Sequence, residues 1–196
     1  IDNSSPSKPN TTQKKQAVTT LHGEEITLLS VGRLTKTKRV EDLLYALVQL
    51  QTKHNIKLDI VGTGPEEDNL KCLARRLNIS DSVDFKGFLK KPFSGYSPEN
   101  TLFVLTSELE GMPNSLIEAL CTGLPCISAE CDFGPKEIFS CFMIGSEWLY
   151  TPSDVDQLVL CIHNYASGRH SYIVDFTASS QLFSEKSYLS SYRNIL

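Results

Sequence analysis

The sequence predicts an α/β fold, built on a doubly wound parallel sheet with helices on both faces. One observation is that short continuous apolar runs, such as Ile26–Val31, end at glycines, as buried parallel strands do. The other is that segments between these runs, such as Val40–Leu50, repeat apolar residues every three or four positions, which is typical of amphipathic helices. Parallel strands that alternate with helices are joined by right-handed crossovers, so the pattern predicts a Rossmann-like sheet.

The individual elements are predicted from their own patterns in chain order. The strand Ile26–Val31 and the helix Val40–Leu50 are followed by a strand at 57–61 and a helix at 66–77, which carries acids in its first turn and arginines in its last, as the helix dipole prefers. The remaining expected elements are strands at 82–85, 102–106, 125–128 and 142–144, and helices at 114–121, from Glu137, at 154–165 after a Ser153 cap, and at 184–194.

The two ends of the chain differ in composition from its middle. Residues 1–23 are rich in Ser, Thr, Asn, Lys and Pro and have no apolar periodicity, which predicts a linker. We expect one folded domain at 24–180 and a closing helix at 181–196. A chain of 196 residues, 40% of them apolar, buries roughly 70% of its unfolded surface, so we expect a stable core without disulfides or a structural metal.

Charge and cysteine usage exclude several classes of function. Nineteen Lys and Arg against 23 Asp and Glu give a net charge of −4, which argues against nucleic-acid binding and leaves room for one local anion site. The six cysteines and four histidines form no C-x-x-C or H-E-x-x-H pattern, so we expect reduced thiols, histidines without partners and no metal site. No apolar run reaches the roughly 20 residues that span a bilayer, which predicts a soluble chain.

Ligands of an open parallel sheet bind beyond the carboxyl ends of its strands, so the residues that follow each predicted strand are the candidates. After the first strand, a glycine turn at Gly32 is followed by a cluster of cations, at Arg33, Lys36, Lys38 and Arg39. Cations just before a helix are disfavoured by its dipole, and a bound phosphate would offset them. The alternative is a solvated basic loop.

The second strand ends in a glycine-rich turn, Gly62-Thr63-Gly64-Pro65. The turn contains G-x-G but has Glu67 where a dinucleotide fingerprint requires its third glycine, so it does not predict NAD binding. Its glycines allow a tight turn that lies close either to a ligand or to a neighbouring loop.

The segment after the strand 102–106 carries the most chemical information. Pro113 suits the start of a helix, whose free N–H groups at Asn114 and Ser115 would point at an anion. Glu110 and Glu118 are separated by seven residues, and each carboxylate can accept bonds from two hydroxyl groups, as sugars and ribose offer. The alternatives are a dipole-favoured acid beside an exposed glutamate, or a glycosidase pair, which is disfavoured because such pairs flank the sugar from separate elements.

Two further segments carry weaker signals. The Gly134-Pro135 turn after the strand 125–128 presents backbone N–H groups, and Glu137 starts a short helix there. Asp154 and Asp156 form a D-x-D sequence, a pattern that can ligate a divalent metal. Because they lie in the first turn of a predicted helix, where the dipole stabilises acids, we do not predict a metal there.

Taken in order, these segments resemble the nucleotide-sugar-binding C-terminal domain of the retaining GT-B glycosyltransferases, specifically glycosyltransferase family 4, also called glycosyl transferases group 1. The resemblance runs from about 26 to 156 and implies the C-terminal half of a GT-B fold. It is carried by VGRLTKTKRVEDLLYAL, DIVGTGPEEDNL, FKGFLKK, FVLTSELEGMPNSLIEAL, GLPCIS, GPKEI and LYTPSDVDQL, of which the E-x7-E segment from Glu110 to Glu118 is the most specific.

The resemblance implies a role for each matching residue. Arg33 and Lys38 match the cations that hold the donor diphosphate and stabilise its charge as it leaves. Glu110 matches the acid that contacts the donor sugar, and Glu118 the acid that binds the ribose hydroxyls. Arg39 departs from the pattern, because a glycine is common there. The other positions expected to contact the donor are Gly32, Gly64, Phe88, Gly111, Met112, Pro113, Asn114, Ser115 and Leu116.

The resemblance implies the donor-binding half of a retaining, metal-independent transferase, which moves a hexose from a UDP-sugar, or next a GDP-sugar, to a polysaccharide or lipid-linked acceptor. It implies no cofactor. An N-terminal domain would bind the acceptor, so we expect this chain alone to bind donor and to transfer little or no sugar. The expected location is cytoplasmic, with peripheral contact to the membrane face allowed. The alternatives are a non-catalytic nucleotide-sugar-binding or partner module and a nucleotide-sugar epimerase of the same fold.

Overall fold

The structure, a computed structural model, describes residues 16–19, 25–132, 134–169 and 172–175. Strands and α-helices alternate through most of these residues. The strands are β1 (Gln16–Thr19), β2 (Ile26–Val31), β3 (Ile56–Val61), β4 (Val83–Gly87), β5 (Thr101–Leu105), β6 (Cys126–Ala129), β7 (Leu149–Tyr150) and β8 (Tyr172–Asp175). The α-helices are α1 (Val40–Leu50), α2 (Glu67–Arg76), α3 (Asn114–Cys121), α4 (Pro135–Cys141) and α5 (Val155–Ala166).

Six of the strands form one parallel sheet in the order β4-β3-β2-β5-β6-β7. The chain builds outward from β2 in one direction through β3 and β4, then returns to the other side of β2 and continues through β5, β6 and β7. This is the doubly wound Rossmann order, which confirms the predicted fold class. The order reverses between β2 and β5, and we call this place the switch point.

The helices cover both faces of the sheet. Right-handed crossovers place α1 and α2 on one face and α3 and α4 on the other, and α1 also packs against α5. Every residue of β5 and β6 is buried, which explains why these strands read as continuous apolar runs. Each large side chain buried in the core, such as Phe103 or Leu58, contributes about 1.5–3 kcal/mol.

The predicted strand at 142–144 is wrong, because these residues end α4 instead. The Phe142 N–H donates to the Ile138 carbonyl oxygen at 3.1 Å, and the Ile144 N–H donates to that of Phe139 at 2.8 Å. Met143 between them adopts a positive φ of 57°, as residues beyond a helix end often do. Phe142 and Ile144 are buried beneath the helix end, which accounts for the apolar run in the sequence. The edge strand of the sheet is instead β7.

The N-cap of α5 is Asp154, not Ser153 as the sequence predicted. The Asp154 carboxylate accepts a hydrogen bond from the Gln157 N–H at 2.9 Å, whereas Ser153 lies one residue earlier with a φ of 69°. The first acid of the D-x-D sequence is therefore occupied by a backbone cap. Within residues 25–132 and 134–169 the structure contains no group of three or more His, Cys, Asp or Glu side chains that could hold a metal ion.

The two ends of the described chain meet in a separate pair of strands. β1 and β8 run antiparallel, with Gln16 opposite Asp175 and Thr19 opposite Tyr172. β1 lies within residues 1–23, where the composition predicted a linker and no strand. The closing helix expected at 181–196 lies outside the described residues.

The cysteines and the helices of the described residues bear on two predictions, those of reduced thiols and of a chain without a membrane span. All six cysteines fall within them, and no disulfide bond joins any two. None of the described helices is long and apolar enough to cross a membrane.

Candidate functional site

The loops that follow β2 and β5 meet at the switch point, where ligands of doubly wound sheets bind. We call residues 32–39 the β2 loop and residues 106–113 the β5 loop. Two hydrogen bonds join them: the Glu108 N–H donates to the Thr37 carbonyl oxygen at 3.0 Å, and the Thr106 hydroxyl donates to that of Lys38 at 2.6 Å. Residues far apart in sequence are thereby held in one polar crevice.

Lys38 and Glu110 form an ion pair across this crevice. The Lys38 Nζ lies 2.5 Å from the Glu110 Oε1, and the side chains are 27% and 9% exposed. A nearly buried carboxylate needs a countercharge, and Lys38 supplies it. The sequence predicts that each of these residues contacts a ligand, but it does not predict that the two pair with each other.

Arg33 lies at the mouth of a cleft of about 470 Å³ formed at the carboxyl ends of β2 and β3. The residue is exposed and has no ionic partner among the described residues. The cleft volume is that of a small-molecule site. Gly32, Arg33, Gly64 and Phe88 from the predicted set line it, together with Leu89 and Pro92. Phe88 is 74% exposed, so this wall of the cleft presents an apolar face to solvent.

The glycines of the Gly62–Pro65 turn serve the packing of two loops and also border the cleft. A Cβ on Gly62, whose φ is 136°, would overlap the Gly32 carbonyl oxygen, and a Cβ on Gly64 would overlap that of Leu34. Hydrogen bonds run directly between these loops, from the Leu34 N–H to the Thr63 carbonyl oxygen and from the Glu66 N–H to that of Leu34, both at 3.0 Å. Close backbone approach therefore accounts for both glycines.

The N-terminus of α3 offers part of the predicted set of amides. Pro113 is the N-cap residue, and no side chain caps the helix. The Asn114 N–H, predicted to be free, instead donates to the Met112 carbonyl oxygen at 2.9 Å, because the chain forms a tight turn there. The N–H groups of Gly111, Met112 and Ser115, at or just before the start of the helix, have no backbone acceptor in the described residues.

Leu116 was expected to contact the donor, but the structure places it in the core. Its side chain is fully buried in the core, and its N–H donates to the Pro113 carbonyl oxygen at 3.0 Å. Packing of α3 against β5 and β6 therefore explains the leucine at this position.

Glu118 lies on α3 one turn beyond Ser115, so the two share a helix face. The residue as a whole is exposed and makes no ion pair with the described residues. Partial desolvation nevertheless raises the pKa of its carboxyl above the usual range. Hydroxyl groups are suitable partners for such a carboxylate, since they can donate without bringing a second charge.

The turn after β6 is occupied by its own helix cap. The Gly134 N–H donates to the Glu137 carboxylate at 3.0 Å, and Lys136 pairs with Glu130 at 2.7 Å. Gly134 has a φ of 104°, and a Cβ at this position would overlap the Pro113 ring, so the β5 loop approaches this turn closely. Phe133 lies outside the described residues.

Arg39 makes contacts at the site that, like the Lys38–Glu110 pair, were not predicted from the sequence. Its guanidinium binds Asp42 with two parallel hydrogen bonds of 2.9 Å, and Asp42 is 2% exposed. Its Nη1 also lies 3.7 Å from the Glu108 Oε2 on the β5 loop. The i to i+3 spacing of Arg39 and Asp42 is the one sequence signal for this pair.

One prediction about histidines is wrong, although it concerns a place away from the switch point. His54 Nε2 lies 2.8 Å from His163 Nδ1, which joins the segment before β3 to α5. The two residues are 109 positions apart, so only the packing of α5 beside α1 brings them together.

Fold and site together define a doubly wound α/β domain with a charged ligand crevice at its switch point. The chain belongs to the family described as glycosyl transferases group 1, whose model matches residues 11–171. This confirms the family that the motifs predicted.

Relatives named as glycosyltransferases match most of this chain. The lipopolysaccharide 1,6-galactosyltransferase of Escherichia coli K12 is 36% identical over 151 residues, which are 74% of this chain and 41% of that protein. The enzyme of the same name from Salmonella typhimurium is 31% identical over 174 residues, 86% of this chain and 47% of that protein. The apo structure of the lipopolysaccharide outer core galactosyltransferase WaaB has a TM-score of 0.64 at 33% identity and covers 74% of this chain and 41% of its own. This chain thus spans less than half the length of these relatives.

Proposed function

We propose that this chain is the donor-binding half of a retaining, metal-independent glycosyltransferase. The observation that carries the proposal is the arrangement at the switch point, where Lys38 and Glu110 meet at 2.5 Å beside the open N-terminus of α3. Membership of the transferase family supports it independently. Arg33 and Glu118 complete the set of charges proposed to hold the donor.

The chemistry of the proposal follows from these charges. When the bond between the sugar and the diphosphate breaks, its electron pair stays on the diphosphate oxygen. Arg33 and Lys38 stabilise that growing negative charge, which is the role a divalent metal has in other transferases. Glu110 accepts hydrogen bonds from sugar hydroxyls, and its negative charge favours the cationic character of the sugar ring in the transition state. Glu118 accepts hydrogen bonds from the ribose hydroxyl groups.

The amides and the apolar wall are assigned to the rest of the donor. The N–H groups of Gly111, Met112 and Ser115 hold phosphate or sugar oxygens, helped by the α3 dipole. The cleft beside Phe88 takes the base. We propose a UDP-hexose as donor, with a GDP-sugar next. The bacterial relatives, which are named as lipopolysaccharide galactosyltransferases, favour a hexose and a glycan or lipid-linked acceptor.

We propose that the acceptor binds to a part of the whole protein that this chain does not include, as the greater length of the relatives suggests. This chain covers 41–47% of those relatives, so the acceptor and the linkage are determined largely outside it. We propose that this chain binds donor and transfers little or no sugar by itself. We also propose that the whole protein acts in the cytoplasm, in peripheral contact with the membrane that carries a lipid-linked acceptor.

Titration calorimetry of the chain with UDP, GDP and ADP in EDTA tests the proposal. We expect binding of at least one nucleotide, weakened roughly tenfold by Arg33→Ala and by Glu118→Ala, because each removes charge-assisted hydrogen bonds of about 1.5 kcal/mol or more. Arg75→Ala and Glu99→Ala remove equal charges from exposed sites elsewhere and are expected to bind like the unmodified chain. If no nucleotide binds, or if binding requires a divalent ion, the proposal is wrong.

A further inference from the structure

Arg39 adopts a backbone conformation that an arginine rarely takes. Its φ and ψ are 48° and 40°, in the left-handed region, at the junction between the β2 loop and α1. A residue with a Cβ costs roughly 1–2 kcal/mol more there than glycine does. Such strain persists where the surrounding contacts fix the residue, so the side-chain contacts of Arg39 must account for its presence.

The Arg39 side chain connects three parts of the site. Two parallel hydrogen bonds of 2.9 Å fix the guanidinium on the buried Asp42 carboxylate of α1. The remaining nitrogen faces Glu108 of the β5 loop at 3.7 Å. Arg39 is thus anchored firmly on α1 and reaches across to the β5 loop, while its own backbone belongs to the β2 loop.

The neighbours of Arg39 are the residues that set the position of the charged pair. The Glu108 N–H binds the Thr37 carbonyl oxygen, and the Thr106 hydroxyl binds that of Lys38. Lys38 in turn pairs with Glu110. Because the Arg39 guanidinium is bound to Asp42 and its remaining nitrogen faces Glu108, Arg39 acts on a ligand through these neighbours and not by touching it.

We propose that Arg39 is a positioning residue: it fixes the β5 loop against the β2 loop, so that Lys38 and Glu110 are held ready for the donor diphosphate and sugar. The inference rests on the proposed function, since it names what keeps that site assembled. It concerns a position at which the family pattern commonly has a glycine, which could not make any of these contacts.

The test compares UDP binding and thermal stability of four forms of this chain. Arg39→Gly removes the side chain and keeps the backbone conformation, since glycine adopts a φ of 48° freely. Arg39→Lys keeps the charge but cannot form the two parallel bonds to Asp42. Lys36→Ala is the matched control, an exposed cation in the same loop. We expect the dissociation constant to rise about fivefold in both Arg39 variants and less than twofold in Lys36→Ala.

Salt separates positioning from charge attraction. We expect the ratio between Arg39→Gly and the unmodified chain to shrink at 0.5 M salt but to stay above that of Lys36→Ala, because salt screens the half-exposed ion pair with Glu108 and leaves the bonds to the buried Asp42 largely intact. We also expect the melting temperature of Arg39→Gly to fall, because relief of backbone strain offsets only part of the cost of leaving the buried Asp42 carboxylate without its partner.

Three results would overturn the inference. Unchanged binding by Arg39→Gly, equal weakening by Lys36→Ala, or a fall of the Arg39→Gly ratio to that of Lys36→Ala at high salt each contradicts positioning. If Arg39→Gly does not fold, Arg39→Lys decides, and binding like the unmodified chain contradicts the inference. Failure of the unmodified chain to bind any of UDP, GDP and ADP overturns the proposed function itself, and with it this inference, so the two failures are distinguishable. If only GDP or ADP binds, the four forms are compared with that nucleotide.

Discussion

The Lys38 ammonium group has two partners under the proposed function, the Glu110 carboxylate and the diphosphate of the donor. The carboxylate is its partner at 2.5 Å, and a diphosphate would compete for the same ammonium group while being repelled by the same carboxylate. A donor with its sugar attached compensates Glu110 by offering hydroxyl groups, whereas a free nucleoside diphosphate does not. The pair is therefore expected to distinguish donor from product.

Glu110→Gln tests this role. We expect the variant to bind UDP about threefold more tightly, because Lys38 loses its competing partner and the diphosphate loses a repelling charge. We expect the preference for UDP-hexose over UDP to shrink at the same time. Calorimetry at low salt measures both affinities, with Glu99→Gln as control; weaker UDP binding by Glu110→Gln would contradict the assignment.

Gly64 carries a structural demand that is independent of any ligand. We expect Gly64→Ala to lower the free energy of unfolding by about 1–3 kcal/mol, because a Cβ there overlaps the Leu34 carbonyl oxygen and pushes apart the loops after β2 and β3. Gly111→Ala is the matched control, since nothing lies within 4 Å of a Cβ at that glycine. Urea unfolding measures both; equal stability of the two variants would show that the loops are not in close contact.

At the level of elements, the sequence predicted those that depend on local pattern. The helix α1 and the strand β2 were predicted at the bounds that the structure shows, because their apolar periodicity directly reflects the face they bury. The residues 142–144 were assigned to a strand because burial under a helix end produces the same short apolar run as a strand does. A short apolar run in the sequence therefore indicates that its residues are buried, but it does not show whether a helix or a sheet covers them.

His54, which contacts His163 of α5, is expected to make the stability of the folded chain depend on pH. Burial first, and then the charges of His163 and Lys53, lower the pKa of His54 in the folded chain below its ordinary value near 6.5. The unfolded chain therefore binds this proton more readily. The free energy of unfolding is expected to fall as pH falls below about 6.5.

His54→Gln tests this expectation. The variant keeps a hydrogen-bonding side chain but no proton to gain, so its stability should depend less on pH between 7.5 and 5.5 than that of the unmodified chain. Urea unfolding at the two pH values gives the slopes. An identical slope in both proteins would show that His54 is not protonated preferentially in the unfolded chain.

At the scale of the whole molecule, the sequence predicted which residues form the site better than how they contact one another. Short motifs placed Arg33, Lys38 and Glu110 after the correct strands, because the carboxyl ends of parallel strands share one edge. The pairing of Lys38 with Glu110 joins residues 72 positions apart, and the use of the Asn114 N–H by Met112 depends on one tight turn. Neither leaves a periodic trace in the sequence.

The central claim is that the switch point of this chain binds a nucleoside diphosphate sugar without metal. Its most direct test is a map of backbone amide chemical shifts as UDP-hexose is added in EDTA. We predict saturable shifts at Gly32, Gly111, Met112 and Ser115, and none at Lys53 and Ser82, which lie beside the opposite end of β3. Shifts confined to that opposite end, or shifts that appear only after a divalent ion is added, would contradict the account.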